Sequence, residues 1–269
     1  MSSASRPPSR NDRREEARRT RLEHEHAEAI AATRRRRIRL LGAIAGVAAV
    51  IVAGAILATS GGGAGEGAGS PSGSARSSSS VAGAAEARAV LSGVPPRDVL
   101  LGRPRAPVRV IEFADPQCPF CRDFAVRELP AFIRGPVRGG RVRMEFRTLA
   151  FIGADSEKAA RFIEATGLQN RLWYAVEMLF ANQGAENSGW VTDALLRSVA
   201  AAIPGLDEQR ALAAVGSAQV TARLRANERL AGRHGVSSTP TFLVGRGNAF
   251  RAVGPDQLTA AVQAALKTR

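Results

Sequence analysis

Cys118 and Cys121 are the only two cysteines in 269 residues, and they stand three apart as Cys118-Pro119-Phe120-Cys121. A pair at this spacing can close to a disulfide and reopen, and the same spacing also serves as half of a zinc site. A thiolate, not a thiol, attacks a disulfide. If a helix begins at Pro119, Cys118 sits at its N-cap, facing the first free N–H groups and the positive end of the helix dipole, which lower its pKa. Pro119 suits that first helical position because no hydrogen bond is lost there. Cys121, one turn on, faces back toward Cys118. Cys118 is therefore the predicted nucleophile and Cys121 the resolving thiol, with Arg122 adding favourable charge. The zinc alternative lacks ligands. Two of the three histidines, His24 and His26, lie in the charged N-terminal arm, and His234 is alone. A four-ligand site wants Cys or His in two pairs. No metal and no cofactor is expected.

Two further residues bear on this chemistry. Glu112 lies six positions before Cys118 in an otherwise apolar strand. It reads either as a solvated edge residue or as a buried carboxylate beneath Cys121 that accepts or relays its proton, desolvation raising its pKa toward neutrality. Pro240 stands in Val236-Ser237-Ser238-Thr239-Pro240-Thr241-Phe242. Proline in a sheet is confined to edges and strand starts. A cis Thr239–Pro240 bond would bring this loop against the dithiol, where the backbone from Thr239 could pair with an extended peptide as an added strand.

The elements that must position these groups follow from pattern. Val108 to Phe113 reads as a strand and Arg122 to Leu129 as a helix, so the dithiol sits at a strand–turn–helix junction. A short helix covers Ala84 to Leu91 and ends before Pro95-Pro96. Val142, Met144 and Phe146 alternate with Arg141, Arg143, Glu145 and Arg147 in a second strand. From Asp155 to about Arg233 the pattern is helical, with Ser156 as N-cap and Trp173, Val176, Leu179 and Phe180 on one core face. Thr241 to Val244 is a third strand. Gly245 to Asn248 turns the chain into Ala249 to Val253, and a last helix runs from Pro255 to about Lys267.

The first 83 residues are different in kind. Residues 1–37 form a basic, mixed-charge arm expected to be disordered. Residues 38–59 follow the run Arg34-Arg35-Arg36-Arg37, and Leu40 to Ala58 is free of charge. That length spans roughly 30 Å as a helix, a bilayer core. The preceding basic cluster places the N-terminus inside, so this is expected to be a retained signal-anchor rather than a cleaved signal. Residues 60–83 are a Gly/Ser/Ala-rich linker. Residues 84–269 are the folded domain. The net charge of +14 is shared between arm and domain with no basic stripe interleaved with aromatics, so no nucleic acid is expected as partner.

The run Phe113-Ala114-Asp115-Pro116-Gln117-Cys118-Pro119-Phe120-Cys121, with Glu112 upstream and Ser238-Thr239-Pro240-Thr241-Phe242 far downstream, resembles the DsbA-like branch of the thioredoxin superfamily. Trp173, Leu179 to Gln183, Gly189 and Trp190 fall where that branch has similar residues, and the likeness covers about residues 100–267. It implies an α/β thioredoxin fold with a helical insertion, about residues 155–233, between the second and third core strands, preceded by one transmembrane helix. It also implies redox cycling of Cys118 and Cys121, a cis Pro240 and a proton-relay role for Glu112. Phe120 is a departure, since the strong oxidants of the branch carry histidine there. The expected function is a thiol–disulfide oxidoreductase on the outer face of a bacterial cytoplasmic membrane, introducing disulfides into reduced or misoxidised exported proteins and recharged by a membrane quinone-linked thiol oxidase. Reductase or isomerase action, fed by a membrane thiol reductant, is the alternative at the same site. A redox-silent peptide-binding scaffold is a more distant one.

Overall fold

The computed structural model describes residues 81–268. The basic arm, the apolar run of residues 38–59 and the linker up to residue 80 lie outside the described residues. Among the described residues, no helix is long and apolar enough to cross a membrane.

Helix α1 (Ala84–Leu91) buries Ala87, Val90 and Leu91 and matches the expected bounds. Leu100–Leu101 form a two-residue strand, β1, too short to carry a period. Strand β2 (Val108–Ala114) is rich in β-branched and aromatic residues and buried on both faces. Helix α2 opens as Pro119–Asp123 and runs on, through wide turns at Phe124–Glu128 and Ile133–Val137 on either side of Leu129–Phe132. Pro130 and Pro136 account for that widening, since neither supplies the N–H of a regular turn. Strand β3 (Val142–Thr148) follows.

Five helices come next: α3 (Ala154–Gly167), α4 (Leu172–Ala181), α5 (Asp193–Ala202), α6 (Glu208–Ala214) and α7 (Ala218–Arg233). Strands β4 (Thr241–Arg246) and β5 (Ala249–Val253) form the closing hairpin, β4 running two residues past its expected end, and α8 (Pro255–Lys267) ends the domain. The expected N-cap at Ser156 is corrected. Helix α3 starts three residues earlier, behind Gly153 as N-cap, and the Ser156 hydroxyl instead donates to Asp115 Oδ1 at 2.5 Å.

The sheet order is β1-β3-β2-β4-β5, with β2 and β3 parallel and the other neighbours antiparallel. This is the mixed α/β sheet of a thioredoxin fold, with the helical block inserted between β3 and β4. Residues directly opposite in a ladder share a face. Glu112 is opposite Phe146 on one side and Phe242 on the other. Phe242 stacks on Phe124 of α2 at 4.7 Å between ring centroids. Phe146 meets Trp173 and Phe180 of α4 at 5.9 and 6.4 Å. The Glu112 face of the sheet is therefore the face roofed by α2 and α4. Ile111, Phe113 and Leu243 point the other way, into a smaller cluster with Ala231 of α7.

Candidate active site

Cys118 is the N-cap of α2, in extended conformation, with Pro119 in the first turn, as the sequence predicts. The Cys121 N–H donates to Cys118 Sγ at 3.4 Å, and the Cys118 thiol donates to the Thr239 carbonyl at 3.3 Å. Both cysteines are free thiols, so the structure represents the reduced state. The Thr239–Pro240 peptide bond is cis, as the sequence reading expected.

The two thiols are electrostatically unlike. A hydrogen bond from the Cys121 thiol, the N–H groups of Cys121 and Phe120 and the side chain of Thr239 together hold Cys118 down at about 6, against the opposing effect of burial. Burial pushes the Cys121 thiol far up, and its hydrogen bond to Cys118 adds to the rise. One thiol is an activated nucleophile and the other holds its proton. Carbamidomethylation of the reduced protein with iodoacetamide is accordingly expected to follow a single titration with midpoint near pH 6. A midpoint near 9, the ordinary value for a thiol, would contradict the assignment. Arg122, expected to add charge at Cys118, lines a groove between α1 and α2.

Glu112 is fully buried and neither carboxyl oxygen has a hydrogen-bond partner. The edge-residue alternative is therefore wrong. Burial, and secondarily the charge of Glu177, raise its pKa to about 8. Linkage gives this a sign. The folded chain keeps the Glu112 proton up to about pH 8, whereas the unfolded chain loses it near 4.5, so Glu112 erodes stability as pH rises through that window. Glu112→Gln is expected to stabilise the domain, little at pH 5 and by on the order of a few kcal/mol at pH 8, read from urea unfolding at both pH values.

A network that the sequence reading did not single out holds the loop before Cys118. Asp115 is fully buried and its carboxylate accepts from the Gln117 N–H (2.8 Å), the Ser156 hydroxyl, the Phe151 N–H (2.9 Å) and the Ile152 N–H (3.1 Å). Gln117 in turn donates to Ser156 and Asn187 and accepts from the Asn187 N–H at 2.6 Å. The Gln183 amide donates to the carbonyls of Pro116 (2.7 Å) and Cys118 (3.1 Å). These bonds tie the cysteine loop to the helical insertion. Glu177 was also missed. It is a single acid in the apolar run Leu172-Trp173-Tyr174-Ala175-Val176-Glu177-Met178-Leu179-Phe180, the same signal that marked Glu112.

A family model described as thioredoxin matches residues 95–264. A probable disulfide bond formation protein D from Bacillus cereus is 36% identical over 101 residues, 37% of this chain and 47% of that protein. The chain thus spans less than half the length of that relative. The crystal structure of oxidised BdbD from Bacillus subtilis superposes with a TM-score of 0.57 at 24% identity, covering 66% of this chain and 95% of that one, a likeness of fold. A thioredoxin-like oxidoreductase from Silicibacter pomeroyi superposes with a TM-score of 0.51 at 29% identity, covering 63% and 92%.

Proposed function

This chain belongs to the thioredoxin family, and on that premise we propose that it is a DsbA-like thiol–disulfide oxidoreductase that introduces disulfides into exported proteins. The observation that carries this reading is the placement of the two sulfurs. Cys118 stands at the N-cap of α2, its Sγ accepting the Cys121 N–H and meeting the Thr239 carbonyl, and Cys121 is fully buried one turn on. This placement lowers the first thiol and raises the second. A dithiol whose reduced form is stabilised as a thiolate is a better electron acceptor in its disulfide form. The hydrogen bonds at Cys118 supply that stabilisation without the histidine that Phe120 replaces. The names of relatives, disulfide bond formation protein D, support the same direction.

In the forward reaction a substrate thiolate attacks Cys118 Sγ of the disulfide. Cys121 leaves and takes up a proton from the protonated Glu112 carboxyl. The second substrate thiolate then attacks the mixed disulfide, forming the substrate's disulfide and releasing Cys118 as a thiolate. Two electrons pass from substrate to protein. Extended substrate backbone docks at Thr239, whose carbonyl meets Cys118, and the adjoining Pro240 loop, with the apolar side chain of Phe120 in the cysteine motif 70% exposed. A membrane quinone-linked thiol oxidase recharges the dithiol. Residues 38–59 anchor the protein in the cytoplasmic membrane as a single span, N-terminus inside, and residues 60–83 tether the catalytic domain outside, where disulfides persist. This topology rests on the charge-free run behind its basic cluster.

Equilibrating the dithiol against reduced and oxidised glutathione tests the direction. The expected result is a reduced dithiol at glutathione ratios that leave ordinary structural disulfides oxidised. A dithiol that stays oxidised under those conditions would make the chain a reductase.

A further inference from the structure

Trp173, Glu177 and Phe180 lie at i, i+4 and i+7 on α4 and so share one helix face. Trp173 and Phe180 both touch Phe146, the residue directly opposite Glu112 in the β2–β3 ladder. Glu177 is thereby turned toward the same side of the sheet as Glu112. The two carboxyls differ in access. Both oxygens of Glu112 are sealed from solvent, whereas only Oε1 of Glu177 is sealed without a partner. Glu177 also lines a groove of about 490 Å3 between α1 and α2, together with Glu86, Val90, Arg122 and Arg134.

We propose that Glu112 and Glu177 form a carboxyl pair that shares the proton exchanged with Cys121, with Glu177 as the member that passes it to and from solvent through the α1–α2 groove. The proposal rests on the role given above to Glu112 and extends it to a positioning and relay residue on the helical insertion. When Cys121 leaves the disulfide, the Glu112 carboxyl protonates its thiolate. Glu177 returns a proton to Glu112 and is itself reprotonated from water in the groove. Reoxidation runs the same transfers backward, so no proton is created or lost. The charged groups around Glu177 are Glu112 from β2, Glu86 from α1, and Arg122 and Arg134 from α2. Neither arginine forms an ion pair with it among the described residues, and Arg122 Nε is buried without a partner. The carboxyl is held near pH 8 by burial alone, in a range where a shared proton is exchangeable.

The test is the pH profile of reduction of the oxidised protein by excess dithiothreitol, corrected for the thiolate fraction of the reagent and followed by acid quench and thiol alkylation. The native rate is expected to fall as the carboxyl pair ionises near pH 8. In Glu177→Gln, Glu112 loses the neighbouring charge and that fall moves down by about one pH unit, while Glu177→Asp keeps the native midpoint. With a pH-indicator dye, each disulfide reduced releases one net proton, because dithiothreitol gives up two and Cys121 takes up one. This release tracks cleavage in the native protein and overshoots in E177Q until the delayed uptake through Glu112 catches up. Profiles and proton release in E177Q that superimpose on the native ones would overturn the pair. If Glu112→Gln also leaves the profile unchanged, the role of Glu112 fails with it. An altered E112Q profile beside a native-like E177Q profile removes only the present inference. The amide replaces a carboxyl whose sealed oxygen has no partner, so E177Q is expected to melt no lower than the native chain.

Discussion

Replacing Cys118 by serine is expected to reduce disulfide exchange to the uncatalysed rate while leaving the domain folded. Cys118 is the sulfur held near pH 6, so at neutral pH it is largely thiolate. A serine hydroxyl offers no comparable nucleophile and cannot form the disulfide at all. Cys121 cannot take over, because it is fully buried and its thiol is pushed far above neutrality. The fold tolerates the change for a local reason. Cys118 is the N-cap of α2 and accepts the Cys121 N–H, a role that serine fills at least as well. Thermal unfolding should therefore move by no more than about 1 kcal/mol. Cys121→Ser should behave differently, accumulating mixed disulfides on Cys118 that a non-reducing gel resolves. Native turnover in Cys118→Ser would remove the assignment of the nucleophile.

Asp115→Ala is expected to have the largest effect on stability. Its two carboxylate oxygens satisfy four donors in a site without solvent access. Truncation leaves the backbone N–H groups of Gln117, Phe151 and Ile152 and the Ser156 hydroxyl without their acceptor. Stranded buried donors cost about 1–3 kcal/mol each before relaxation, and the losses are not additive, so a total of about 3–5 kcal/mol is expected. The Cys118 N–H bonds to the Asp115 carbonyl at 3.0 Å, so loosening this loop also displaces the sulfur from its donors. The alkylation midpoint should then rise from about 6 toward the ordinary 9. Urea unfolding with an unchanged slope checks the first effect, and iodoacetamide titration checks the second. Ser156→Ala removes one of the four donors and should show a small fraction of both.

What was legible in the sequence was whatever a local rule decides. Proline after Cys118 marked the helix start, the hydrophobic run of β2 marked a buried strand, and Glu112 inside that run marked a buried acid. Pro240 at a strand start marked the loop that meets the sulfur. What escaped was decided at a distance. Ser156 obeys the capping pattern, yet its hydroxyl is claimed by Asp115, 41 positions away. Asp115 and Gln117 have the composition of any turn, and their partners come from Phe151, Ser156 and Asn187. Glu177 carried a readable signal, an acid alone in an apolar helix. Its consequence depends on Phe146, which sets that helix face against the strand holding Glu112.

The central claim is that Cys118 and Cys121 pass a disulfide to a protein substrate. Its most direct test mixes the oxidised protein with an equimolar reduced peptide carrying two cysteines, with acid-quenched samples read by mass spectrometry. The expected result is a peptide lighter by two hydrogens and a protein heavier by two, the gain mapping to Cys118 and Cys121. A peptide that stays reduced beside an intact Cys118–Cys121 disulfide would contradict it.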